Sequence, residues 1–225
     1  MTFSISARCA RTGMVGVSVS SSSPCVAARC AHARPGVGVV ATQNITDPML
    51  GPRGLDLMAA GSSAPDALAK LRATTNYIEY RQLALVDNQG RTASFSGSKT
   101  LGLHRTVERP NAVAAGNLLS NAQVPEAMLD AFFAQEDRHL GARLIAAMRA
   151  AVAAGGEEGP VHSIGMLVYR DVGWPIADLR IDWHETDPIG ELEKLWDLWE
   201  PQMEDYVTRG LNPSAAPSYG VPGDI

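Results

Sequence analysis

The sequence predicts an α+β protein in which two antiparallel sheets pack together and helices cover them. Three observations lead there. Short runs alternate apolar with polar residues, as half-buried strands do, and these runs come in groups. Helical patterns fall in pairs between the groups. Regular strand–helix–strand alternation is absent, which disfavours a parallel, doubly wound sheet.

The first strand starts at once. In TFSISARC, Phe3, Ile5 and Ala7 alternate with Ser4, Ser6 and Arg8. ARTG supplies a hairpin turn at Gly13. The second strand, MVGVSVS, puts Val15, Val17 and Val19 on one face and Gly16, Ser18 and Ser20 on the other. SSSPCVAARCAHARPG reads as a polar loop, VGVVATQN as a strand and DPMLGPRG as a turn-rich connection. Two helices follow: GLDLMAAG, stopped by Gly61, and APDALAKLRATT, with Ser63 as N-cap and Pro65 in the first turn.

YRQLALVDNQGRTASFSG is a hairpin joined at Asp87-Asn88-Gln89-Gly90. NAVAAGNLLS is a buried strand ending in a Gly116-Asn117 turn. VPEAMLDAFFAQE and LGARLIAAMRAAVAAGG are amphipathic helices, the second stopped at Gly155-Gly156. HSIGMLVYRD and DLRIDWH pair as strands around VGWP. DPIGELEKLWDLWEPQMEDYVTR closes as one helix, with Leu192, Leu195, Trp196 and Trp199 at i, i+3, i+4 and i+7, a core stripe or an oligomer seam. The Gly-, Pro- and Ser-rich end reads as a disordered or partner-draped extension. The division expected is one domain over 1–209 and a tail over 210–225.

The 225 residues suit one large domain. A net charge of −5 with no Lys/Arg run argues against nucleic acid or an anionic membrane as the main partner. No apolar run reaches the ~18–20 residues of a membrane span. MTFSISARCA lacks the apolar stretch of a signal peptide, so a cytoplasmic location is expected. Three cysteines, Cys9, Cys25 and Cys30, form no C-x-x-C and read as reduced thiols; Cys25, after Ser23-Pro24, reads as inert. No nucleophile elbow, phosphate loop or dinucleotide fingerprint occurs, so no cofactor is expected. Asp182 and His184 share a strand face, but His32, His104, His139 and His162 are scattered, so no metal is expected. A buried Asp182–His184 pair, or Asp187 with Pro188 starting the last helix, is the better reading of DWHETD.

MTFSI, TGMVGVSVSS, GVGVVATQN, LGPRGLDLMAAG, AAGNLL and LRIDWHETDPIGELEKL, in this order and spacing, resemble a bacterial family of unassigned function, domain-of-unknown-function family 1028. That family is grouped with the N-terminal nucleophile (Ntn) hydrolases. The resemblance runs from Thr2 to about Trp199. It implies a four-layer αββα sandwich and hydrolysis of an amide bond, and it implies no substrate.

A terminal threonine suits such chemistry. A hydroxyl needs a base, and an α-amine with a pKa of roughly 7.7–8.0 can serve on the same residue. Small second residues permit removal of the initiator, which would give Thr2 a free amine. The bland alternative is a β-branched residue starting a strand. The superfamily places a polar residue, often a carboxylate, on the neighbouring strand. Serines stand there, so Ser20 or Ser21 becomes the hydrogen-bond donor, and no lysine occurs in GVGVVATQN. Gln43, Asn44 and Asn117 end strands with neutral donors fit for an oxyanion hole, or simply cap them. Arg53, between glycines before a helix, suits a substrate carboxylate, or pairs with Asp56.

The function expected is therefore hydrolysis of a C–N amide-type bond in a small, carboxylate-bearing metabolite by a homo-oligomer, with Thr2 as nucleophile. The alternatives are a non-catalytic small-molecule binding protein on the same scaffold, and an assembly subunit using the tryptophan helix and tail.

Overall fold

The computed structural model describes residues 1–222. Its first hairpin joins β1 (Thr2–Arg8) to β2 (Val15–Ser21), pairing Phe3 with Ser20 and Ser6 with Val17. β9 (Ser163–Tyr169) and β10 (Ala177–Ile181) extend the sheet beyond β2, and β8 (Ala112–Asn117) and β7 (Arg105–Arg109) extend it beyond β1. The result is a six-stranded antiparallel sheet in the order β10-β9-β2-β1-β8-β7. A four-stranded antiparallel sheet runs β3 (Ala31–Arg34), β4 (Gly38–Asn44), β5 (Arg81–Asp87), β6 (Thr92–Ser96).

Strand alternation sends the side chains of β1 to two different places. Phe3, Ile5 and Ala7 join a core with α4 (Val124–Phe133), α5 (Leu140–Ala153) and α6 (Pro188–Trp199), built on Leu129, Phe132, Leu144, Met148 and Trp196. Each such large apolar side chain, fully buried, contributes about 1.5–3 kcal/mol. The other face of the sheet meets the second sheet through small residues: Val15, Val17, Val19, Val113 and Ala115 against Val39, Ala41, Ala84 and Val86. Thr2, Ser4 and Ser6 of β1 lie on this inter-sheet face, and Ser6 Oγ reaches the Ala84 carbonyl at 3.5 Å. On the outer face of the four-stranded sheet, α2 (Leu50–Ala59) and α3 (Ala64–Thr74) cover Val40, Leu83 and Leu85.

Several elements differ from the sequence reading. The supposed loop after β2 contains a single turn, α1 (Ala27–Cys30), and β3. α2 starts at Leu50, a turn earlier than its apolar pattern shows. Pro52 is tolerated there because first-turn N–H groups need no partner. Gly51 is required, since a Cβ would lie 2.1 Å from the His32 ring. β7 escaped notice because this edge strand is mostly polar, as edges tend to be.

The last helix breaks at Glu200–Gln202, where Pro201 withholds an N–H, and resumes as α7 (Met203–Leu211). Trp196 is buried and stacks on His139, and half-buried Trp199 packs against the core and donates from Nε1 to the Ile176 carbonyl at 2.9 Å. Residues 210–222 do not run free. Arg209 lies 3.9 Å over the Tyr219 ring and donates to the Pro217 carbonyl. The remainder of the expected tail, 223–225, lies outside the described residues. Among the described residues no helix is long and apolar enough to cross a membrane.

Candidate functional site

β1 pairs Thr2 with Asn117 of β8, and the β1–β2 hairpin brings Ser21 alongside on the same inter-sheet face. Thr2 Oγ1 donates to the Met1 carbonyl at 2.5 Å, and Ser21 Oγ donates to that same oxygen at 2.5 Å. The two hydroxyls lie 3.4 Å apart. Thr2 is 6% exposed, covered by Met1.

An amide network crosses the gap between the sheets beside this cluster. Gln43 Nε2 of β4 donates to Gln82 Oε1 of β5 at 2.7 Å, and Asn117 Nδ2 donates to the same oxygen at 3.1 Å. Gln82 Nε2 donates to the Gly116 carbonyl and to Ser96 Oγ, both at 2.9 Å. Gln43 Oε1 and Ser4 Oγ are buried without a partner. The structure thus brings together Thr2, Ser21, Gln43 and Asn117, with Gln82 as the hub. Gln82 was missed. Its signal was a glutamine on the same face as Ala84 and Val86, a polar residue where only core belongs.

A second missed residue is Glu157, just after the Gly155-Gly156 turn. Its backbone bridges to Leu119, two residues beyond Asn117. Its neighbours Gly156 and Gly159 pack on Phe3 and on Met1. Glu157 is 4% exposed, and neither carboxylate oxygen has a hydrogen-bond partner. Burial pushes its pKa up to about 8, against the pull of the Met1 amino group and of a nearby Ser22 N–H too poorly placed to make a hydrogen bond. The same amino group acts on Cys30, but burial dominates and raises that thiol. The sequence reading stops a helix at Gly155-Gly156 and gives Glu157 no role.

Three expected site residues are placed elsewhere. Ser20 pairs with Phe3 and shares its helix-facing side, so its hydroxyl donates to the Ser163 carbonyl at 2.9 Å and not toward Thr2. Asn44 adopts a left-handed φ of 74° and uses its amide on the Tyr80 carbonyl and the Leu101 N–H, so it caps the strand. Arg53 lies in the helix layer, where its guanidinium donates to Thr74 Oγ1 at 3.1 Å; Asp56 pairs with Arg34 instead.

The DWHETD segment holds no buried pair: Asp182 is exposed and bonds Arg180, while Asp187 caps α6 by accepting from the Gly190 N–H at 2.8 Å. Among the described residues no three His, Cys, Asp or Glu side chains gather as metal ligands do. Cys25 is exposed, and Cys9 and Cys30 are buried.

Comparison with known proteins adds the following. A family model described as a family of unknown function, DUF1028, matches residues 2–192. The crystal structure of protein SPO2555 from Silicibacter pomeroyi, family-model DUF1028, is similar at 33% identity and TM-score 0.82, covering 92% of this chain and 91% of that one. Anbu (ancestral beta-subunit) from Yersinia bercovieri aligns at 10% identity and TM-score 0.41, covering 92% of this chain and 97% of that one. No curated protein matches the chain.

Proposed function

The chain belongs to DUF1028, a family of unknown function, and on that premise we propose that it is an N-terminal-nucleophile amidohydrolase with Thr2 as its nucleophile. In this reading the two sheets and their helices form the four-layer αββα sandwich of the Ntn superfamily, as one domain over 1–209. One observation carries the reading: the hydroxyls of Thr2 and Ser21 converge on a single carbonyl oxygen, that of Met1. That carbonyl stands in for the carbonyl of an amide substrate.

Cleavage of the Met1–Thr2 bond, whatever precedes it, does two things. It vacates the space above the Thr2 hydroxyl, and it turns an amide nitrogen, which is no base, into an α-amine, which is one. The amine takes the Oγ proton while Oγ attacks the substrate carbonyl carbon. Charge then builds on the carbonyl oxygen. Ser21 already donates to an oxygen in that place. Gln43 and Asn117 each spend one amide N–H on Gln82 and keep a second. The ammonium returns its proton to the leaving amine as the C–N bond breaks, and water hydrolyses the ester on Thr2. Glu157 supplies the buried carboxylate that β2 lacks, facing the ammonium that forms. The substrate is a small amide. A substrate carboxylate would not meet Arg53, which is held by Thr74.

The test is turnover of a panel of amides, ureides and acyl-amino acids by protein of known N-terminal mass. Cleaved protein hydrolyses a member of the panel, and Thr2→Ala does not. Turnover retained in Thr2→Ala removes the mechanism. A second reading, a binding protein without turnover, is favoured by the burial of Thr2 under Met1. It predicts uncleaved protein throughout a native preparation.

A further inference from the structure

We propose a second binding site, for a small oxyanion (a carboxylate or phosphate group), at the end of β1 opposite Thr2. Seven residues of strand put it about 20 Å from the Thr2 cluster. A cavity of about 560 Å³ opens there, lined by Arg8, Arg11, Arg143, Cys9 and Asn111, with Glu136 and Asp137 among its walls.

Arg143 is the core of the argument. It is 4% exposed, yet among the described residues no carboxylate lies within ion-pair distance of it, unlike Arg109, Arg149 and Arg170, which all pair with acids. Its guanidinium rests 4.0 Å over the Phe132 ring, donates from Nε to the Phe132 carbonyl at 3.2 Å, and from Nη1 meets only Cys9 Sγ at 3.9 Å. Glu136 acts on the guanidinium through space but makes no ion pair with it, and a buried guanidinium without a paired counter-charge is costly, so a cavity that opens onto one is fit to receive an anion.

Two further guanidiniums line the same cavity, those of half-buried Arg8 and exposed Arg11. Arg8 donates to Asn111 Oδ1 at 3.1 Å and Arg11 to the Asp137 carbonyl at 3.1 Å, and among the described residues neither pairs with an acid. Guanidinium forks bind planar carboxylates and phosphates in two-point fashion. Glu136 and Asp137 are exposed and repel a long polyanion. The ligand is thus one small enough to sit within the cavity. The same positive field acts on Cys9. Burial pushes that thiol up, but the Thr12 hydroxyl, the Thr12 and Arg11 backbone and Arg143 together hold it below its ordinary value.

Calorimetric titration with inorganic phosphate and, separately, with succinate tests the site, at constant ionic strength set by chloride. Saturable binding of one of them is expected, and which one identifies the anion. Arg8→Gln and Arg143→Met should each weaken it about tenfold or more, while Thr2→Ala leaves it unchanged. If Arg143→Met fails to fold, Arg8→Gln, at a half-buried position, decides. No saturable binding of either anion, undiminished binding in Arg8→Gln, or loss in Thr2→Ala would each overturn the proposal.

Discussion

Replacing Glu157 by glutamine should stabilise this protein above neutral pH and leave it no better off in acid. The folded state holds this carboxylate with no hydrogen-bond partner for either oxygen, and its pKa stands at about 8 against an ordinary 4.5. The folded value is raised, so the protonated carboxyl is tolerated below about 4.5 at no cost. As pH rises from there the unfolded chain sheds its proton while the folded one keeps it, and stability falls until the folded group titrates near 8. At about 1.4 kcal/mol per tenfold, the full penalty is about 5 kcal/mol above pH 8 and about 3 kcal/mol at pH 7. A glutamine avoids it and gives back about 1 kcal/mol for its own unmade hydrogen bonds.

Since about 1 kcal/mol moves Tm by about 2–4 °C in a chain of this size, Glu157→Gln should melt roughly 5–15 °C higher at pH 9. The gain should vanish by pH 4.5. Thermal unfolding followed by circular dichroism across pH 4.5–9 measures it, on protein of known N-terminal mass. Cleavage before Thr2 replaces the Met1 ammonium, which already acts on Glu157, by that of Thr2, so the two forms are measured separately. Wild-type and Glu157→Gln melting curves that run parallel over the whole range would refute the reasoning.

Asp87→Asn should act in the opposite sense. Burial pushes Asp87 up, but N–H groups of Ala64, Arg91 and Gln89 and the Arg91 guanidinium hold it below 3.8. Its contribution is present above that pH and lost as pH falls through the depressed value, so the variant should lose about 2–3 kcal/mol at pH 7 and little in strong acid, by denaturant titration at both. Gln82→Leu strands the Asn117 and Gln43 amides and the Gly116 carbonyl, and should cost about 2–4 kcal/mol in chemical unfolding. Gly141→Ala places a Cβ 2.5 Å from the Trp196 ring, and overpacking of that kind should lower stability by about 1–3 kcal/mol in the same assay.

Much of the fold was legible because its strands alternate cleanly and its helices announce their ends. Ser63 caps α3 as its sequence position implies, accepting from the Asp66 N–H at 3.1 Å. Of the candidate site, the residues that the structure brings together and that were legible are those at strand ends: Thr2, Ser21, Gln43 and Asn117. Ser20 and Ser21 stayed alternatives because local periodicity does not say which face of β2 meets the second sheet; the valine face does, and it carries Ser21. Side chains on a strand alternate, so naming the wrong face exchanges Ser20 for Ser21. Gln82 and Glu157 were invisible for another reason. Gln82 meets Asn117 across two sheets, 35 residues apart in sequence. Glu157 reaches the amino terminus through a single bridge to Leu119. Neither proximity is written in local periodicity.

The central claim is that a freed Thr2 amine arms the Thr2 hydroxyl against a carbonyl held by Ser21. Mass spectrometry of the peptide containing Thr2, after exposure of the protein to an activated acyl donor, tests it most directly. A hydroxylamine-labile ester on Thr2 Oγ is expected in chains cleaved before that residue, and none in chains that retain Met1. Equal labelling of both forms, or labelling confined to Cys25 or to surface lysines, would contradict it.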